Sequence, residues 1–250
     1  MLILLPPSET KRPGGSGAPL DLGALALPDL RPHRERVVAA LEELSTDAEA
    51  AARVLKLGAT QLGEVAVNLA IRSAPGMAAV DRYTGVLYDA LEAESLDSKA
   101  RRWLARHVMI HSAPFGPVGA LDRIPAYRLG AGVSLPGVPP QRRLWADAVG
   151  SAIAAAEPSF VLDLRSEAYV ALGPVPASVP SVFVRVVADG SGGAVRALNH
   201  FNKHTKGAFV RDLAQARPRI ASLAGLRRWA EGSGWTLRDG TAGELHLVAG

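Results

Sequence analysis

Cysteine is absent from the 250-residue chain. That excludes thiolate catalysis, cysteine-ligated zinc, iron–sulfur clusters and a disulfide framework, and it fits a reducing compartment. No apolar run approaches the roughly 18 residues of a membrane span. The apolar opening, residues 1–5, stops at Pro6-Pro7. It is shorter than the roughly 7–15 apolar residues of a secretory segment, and it reads as a buried first strand. A cytoplasmic protein with no membrane partner is expected. The phosphate-cradling pattern Gly-x-x-x-x-Gly-Lys is missing. His107 with His111, and His200 with His204, are each four apart, but neither pair has a carboxylate at ligand spacing. Neither a metal nor a cofactor is expected.

Lysine is scarce: five residues against 23 arginines. Three of the five fall in two short polar motifs. Lys11 closes Pro6-Pro7-Ser8-Glu9-Thr10-Lys11, and Lys203 and Lys206 lie in Asn202-Lys203-His204-Thr205-Lys206-Gly207. Lysine is a compact charge whose pKa shifts with its surroundings, whereas arginine is a rigid fork of fixed charge. The placement therefore points to a role that arginine cannot fill. Chance placement in loops is the alternative.

What is present is ordinary for a globular chain, 48% hydrophobic and 21% charged, and is long enough for a full core. The net charge of +4 is spread unevenly. Residues 101–143 hold seven arginines and one acid, Asp122, and residues 185–250 hold ten basic and five acidic residues. Such asymmetry suits an anionic partner, nucleic acid or a phosphorylated ligand. An arginine-rich, Ala/Gly/Pro-rich composition typical of GC-rich coding explains it equally well.

Strands are expected over 2–5, 108–111, 160–164 and 181–188, with 126–133 strand-like. A turn at 189–193 would fold 181–188 back onto 194–198 as a hairpin, and 235–237 would pair with 244–248. Helices are expected over 32–44, from a Thr46-Asp47 cap to 57, from Thr60 to about 72, and over 86–91, 98–106, 142–156, 205–214 and 223–231. No internal repeat or linker divides the chain. The reading is α+β, a single domain over 1–250.

Five constellations carry chemistry. Ser8, Glu9, Thr10 and Lys11 leave the end of the first strand, where ligands collect in open sheets. Asp81-Arg82-Tyr83-Thr84-Gly85 is a polar turn in which Thr84 suits a helix cap. Arg128, in Pro125-Ala126-Tyr127-Arg128-Leu129, can clamp a phosphate or carboxylate at two points. In Asp163-Leu164-Arg165-Ser166-Glu167-Ala168-Tyr169, Ser166 suits a cap, and Glu167 and Tyr169 suit a pocket. If Thr205 caps a helix, the Lys206-Gly207 amides form an anion site, reinforced by Lys203, Lys206 and Arg211. A solvated turn, a surface ion pair or a basic solvated face explains each segment taken alone.

Taken together, several segments resemble the YaaA family of peroxide-stress proteins: the opening Leu-Ile-Leu-Leu-Pro-Pro-Ser-Glu-Thr-Lys, Tyr83-Thr84-Gly85, Phe115-Gly116, Pro125-Ala126-Tyr127-Arg128-Leu129, 162–169 and 203–211. They follow the family's order along nearly the whole chain. The resemblance implies a family-specific α+β fold with a basic cleft. It also implies binding of double-stranded or distorted DNA, partly through a helix-hairpin-helix-like element, and a cytoplasmic role in limiting oxidative damage and free iron. The hairpin would fall at 54–68. Here Leu57-Gly58-Ala59-Thr60-Gln61-Leu62-Gly63 lacks the compact Gly-hydrophobic-Gly turn, and Lys56 is the segment's only lysine.

Two functional classes follow. One is a DNA-binding stress protein without catalysis. The other is an enzyme or small-anion binder for a nucleotide-like or phosphorylated molecule. In the second, Ser8, Lys11, Arg128, Lys203, Lys206 and Arg211 supply the anion site, and Glu167, Tyr83 or Lys11 are the catalytic candidates. A Ser, a Tyr and a Glu recurring beside the cations favour a pocket with acid–base capacity. Direct iron binding has no ligand set to support it.

Overall fold

The computed structural model describes residues 1–188 and 199–249. Its strands are β1 (Leu2–Leu5), β2 (Met77–Ala78), β3 (Val108–Ser112), β4 (Gly116–Gly119), β5 (Arg123–Ile124), β6 (Val161–Asp163), β7 (Ser181–Ala188), β8 (Leu237–Asp239) and β9 (Glu244–Ala249). Seven of them form one mixed sheet in the order β4-β3-β1-β6-β7-β9-β8, and β2 and β5 pair apart from it. The five inner strands run parallel, and an antiparallel strand closes each edge. This is an α+β architecture.

The centre follows from the sequence. β1 is apolar at every position and fully buried, as a strand flanked on both sides must be. Leu4 pairs with Met109 on one side and Asp163 on the other. One hydrophobic core runs from Leu2 to Leu247.

Ten α-helices surround the sheet among the described residues: α1 (Arg31–Ser45), α2 (Ala48–Leu55), α3 (Glu64–Leu69), α4 (Ala79–Arg82), α5 (Val86–Leu91), α6 (Ser98–His107), α7 (Gln141–Ala155), α8 (Glu167–Val170), α9 (Asn199–Ala216) and α10 (Leu223–Gly232). α1 buries Val37, Val38, Leu41 and Leu44, a helical stripe. α6 packs on β1 and β3, and α9 on β7 and β9. α9 also lies against α5 so closely that a Cβ on Gly207 would meet the Leu87 carbonyl at 2.0 Å.

Several expectations need correction. Residues 126–133 are not a strand. Tyr127 and Leu129 are buried and Arg128 is not, which gives a strand-like alternation. However, the Arg128 backbone bonds to the Asn68 side chain rather than to another strand. Thr60 caps nothing: residues 59–61 form a short 3-10 turn, and α3 starts at Glu64. Asp47 does cap α2, accepting from Ala50 N at 3.0 Å. That helix stops at Leu55 because Lys56 turns left-handed, at φ 55°. Thr84 is not a cap, since Gly85 holds that place at φ 94°. Ser166 occupies the cap position of α8 without a capping bond. Thr205 does not start a helix, because α9 begins at Asn199. The expected hairpin arm at 194–198, with its turn, lies outside the described residues, as does the His200 side chain. The pairing of the last two strands is as expected, with Leu237 opposite Leu247.

Candidate functional site

Past Leu5 the chain leaves the sheet between β3 and β6 and runs as an irregular segment through Lys11. With no ladder to hold it, side chains and short backbone bonds do so. The Tyr88 hydroxyl donates to Pro6 O at 2.7 Å. Thr84 N donates to Thr10 O, and Arg12 N to Arg82 O, so residues 10–12 run beside 82–84 and Lys11 bridges to Tyr83. The buried Arg82 guanidinium donates to Arg12 O, Pro75 O and Ile124 O.

Two adjoining clefts open around this segment. The first, about 410 Å³, is lined by Ser8, Glu9, Lys11, Lys56, Arg128 and Tyr169 among others. The second, about 740 Å³, is lined by Ser8, Glu9, Thr10, Tyr169, Lys203 and Lys206 among others. Pro7, Ser8, Glu9 and Tyr169 line both, so together they form one continuous site beyond the carboxyl ends of β1 and β6.

The Lys11 ammonium donates to the Ser8 carbonyl at 3.1 Å and the Glu9 carbonyl at 3.0 Å. It stands 4.1 Å from the centre of the Tyr127 ring and 5.6 Å from that of Tyr83. Burial, and then the neighbouring Arg128 charge, bring its pKa down to about 7. The Glu9 carboxylate, the acid nearest by chain, lies 3.6 Å from Arg128 instead. Lys206 is 5% exposed and donates to Leu164 O at 3.0 Å. Burial lowers it to about 8, against a partial upward pull from Asp163.

Arg128 is positioned by a residue that sequence reasoning passed over. Asn68, fully buried on α3, donates to Arg128 O at 3.0 Å and accepts from Arg128 N at 2.7 Å. A polar side chain one turn after the buried Val65 was the available signal. Tyr127 was also passed over: its hydroxyl meets those of Tyr83 at 2.8 Å and Ser112 at 3.1 Å.

The structure thus gathers Ser8, Lys11, Arg128, Lys203 and Lys206 around one site. Tyr83 lies beneath Lys11, 2% exposed; burial raises its hydroxyl pKa far above the ordinary value. Glu167 lines a separate 550 Å³ cavity, where it pairs with Arg185 at 3.1 Å. Arg211 is directed elsewhere, onto Leu91 O, Glu92 O and Ser95. The anion site expected from the Lys206-Gly207 amides does not form, because both lie inside α9. The carboxylate that does line the site is Glu9.

A family model described as peroxide stress protein YaaA matches residues 1–240. The chain belongs to this YaaA family. It is 44% identical to a UPF0246 protein of Corynebacterium efficiens over 255 residues, 99% of this chain and 100% of that one. It is also 44% identical to a UPF0246 protein of Streptomyces coelicolor over 219 residues, 85% of this chain and 82% of that one. A UPF0246 protein of Methylibium petroleiphilum is 31% identical over 204 residues, 78% of this chain and 76% of that one. In this YaaA-family chain the segment 54–68 contributes Leu55 and Lys56 to the cleft lining, and it ends on Asn68, which holds Arg128. Among the described residues no group of three His, Asp or Glu could hold a metal ion, and no helix is long and apolar enough to cross a membrane.

Proposed function

We propose that the cleft beyond β1 and β6 binds a phosphate-bearing ligand, and that the protein serves the peroxide response of its family through that binding. One observation carries the reading: Ser8, Lys11, Arg128, Lys203 and Lys206, from three remote segments, line one site whose single carboxylate among the described residues is Glu9. A guanidinium and amines at a strand terminus are suited to phosphate. The ligand is a nucleotide-like or other phosphorylated small molecule. Calorimetric titration with inorganic phosphate and a mononucleotide tests this. A charge-assisted hydrogen bond is worth about 1.5–3 kcal/mol, so Arg128→Ala should weaken binding by about tenfold or more. Unchanged affinity would overturn the reading.

The second reading is the DNA-binding, iron-limiting stress protein that the family likeness brings. It is favoured by Lys56, exposed at the cleft rim within the 54–68 segment. It predicts affinity for duplex or distorted DNA that falls with salt, at a log–log slope near −0.9 per phosphate contacted. Lysine-to-arginine changes at 11, 203 and 206 separate the two readings. A surface that tracks phosphates tolerates arginine, whereas a shaped pocket does not.

A further inference from the structure

The surroundings of Lys11 suit it to more than holding an anion. Both of its hydrogen-bond acceptors are neutral backbone carbonyls, and among the described residues no carboxylate forms an ion pair with it, Glu64 and Glu9 only partly offsetting the downward pull of burial and Arg128. The nearby acid, Glu9, is drawn to Arg128. The amine lines the 410 Å³ cleft while two tyrosine rings back it. An apolar surround and a neighbouring cation are the two devices that free a lysine amine for attack on carbonyl carbon.

We infer that Lys11 is a nucleophilic lysine that condenses with the carbonyl group of a phosphate-bearing aldehyde or ketone, whose phosphate is held by Arg128 and the lysines at the cleft rim. This rests on the phosphate reading above and deepens it. The free amine adds to the carbonyl carbon, forming the C–N bond, while the carbonyl oxygen takes up a proton from solvent. The nitrogen gives up a proton to solvent in the cleft, and the departing hydroxyl takes one up from the same source. The C–O bond breaks, water leaves, and a protonated imine remains. Its single N–H is met by the Ser8 or Glu9 carbonyl, and its positive charge stays over the Tyr127 ring, where cation–π attraction stabilises it. No redox partner is needed.

Pyridoxal 5′-phosphate serves as the probe, with borohydride reduction of the full chain near pH 7 and mass-spectrometric mapping of all five lysines. The lowered pKa gives Lys11 about a thousandfold more free amine than an ordinary lysine at that pH. Against its tighter setting, labelling should still favour Lys11 over the exposed Lys99 by about tenfold or more. Lys99→Arg should leave the Lys11 label intact, and Lys11→Arg should abolish it. 5′-Deoxypyridoxal, which lacks the phosphate and cannot close to a cyclic hemiacetal, should label Lys11 about tenfold less. Even labelling across the lysines, or none at Lys11, would overturn the inference and leave the phosphate reading to its calorimetry. Equal labelling by the two probes would instead overturn the phosphate reading and keep the imine.

Discussion

Replacing Lys11 by methionine should change how stability depends on pH, and the direction follows from the burial of the amine. In the unfolded chain the lysine binds its proton up to its ordinary value of 10.5, but in the folded protein only up to about 7. Between those values the unfolded state holds more protons, so stability must rise with pH across the window. Below about pH 7 the full cost of the buried charge is present, and above about 10.5 it is gone. A tenfold change in proton affinity is worth about 1.36 kcal/mol, so wild type should gain about 2 kcal/mol on Lys11→Met between about pH 7 and pH 9. Methionine matches the length and apolar stem. The lost bonds to Ser8 O and Glu9 O add an offset that does not vary with pH. Lys206, lowered to about 8, titrates in both proteins and cancels. Urea unfolding at about pH 7, 8 and 9, extrapolated linearly, gives the difference curve. A curve flat to within about 0.3 kcal/mol would refute the argument, because the amine would then keep its ordinary affinity for protons and lack the free form that imine chemistry needs.

Asn68→Ala should strand both backbone groups of Arg128. At about 1–3 kcal/mol for a buried unsatisfied group, with some relief from water at this partly buried site, the loss should be about 2–4 kcal/mol by urea unfolding, with weaker phosphate binding. A loss below about 0.5 kcal/mol would mean that Arg128 is held by other contacts. Gly207→Ala should cost more than the usual gain in helix propensity returns, because the added methyl meets the Leu87 carbonyl at 2.0 Å and Ala90 Cβ at 2.9 Å. We expect about 2 kcal/mol or more and a lower melting temperature by calorimetry. A stabilised variant would contradict the close α5–α9 approach.

The sheet was legible where burial alone decides. β1 is a short apolar run, β6 lies in another, 160–164, interrupted only by Asp163, and β8 with β9 shows the turn between them. The site was legible in part for the same reason, since polar motifs placed at strand ends must meet there. Misreadings came where tertiary contacts override local signals. Residues 126–133 alternate like a strand, yet their backbone partner is the Asn68 side chain, 60 residues away. The helical start set at Thr205 hid the phase of α9. Lys203 and Lys206, three apart, share a helix face, whereas Arg211, five beyond Lys206, points well away from it. Glu167 stands at the right strand end, but α8 turns it toward Arg185.

The lysine scarcity finds a physical account in how the two cations divide the work. Among the described residues three arginines are fully buried, Arg34, Arg82 and Arg165. Arg34 and Arg82 spend their donors on backbone carbonyls. Arg165 grips Asp163 through two nitrogens and also meets His111 Nδ1 at 2.8 Å. Burial, with Arg165 beside it, holds His111 well below its usual pKa, so that ring accepts rather than repels the guanidinium. A fork of fixed charge suits these posts, because its donors reach several carbonyls at once. Lys11 has the opposite task. Arg82 on Arg12 O and Tyr88 on Pro6 O fix the loop from both sides, and the carbonyls of Ser8 and Glu9 are left facing one small cation. A guanidinium in that place would keep its charge fixed. Arg82 and Tyr88 therefore hold the cradle in place, and the cradle suits the residue whose charge can be switched off.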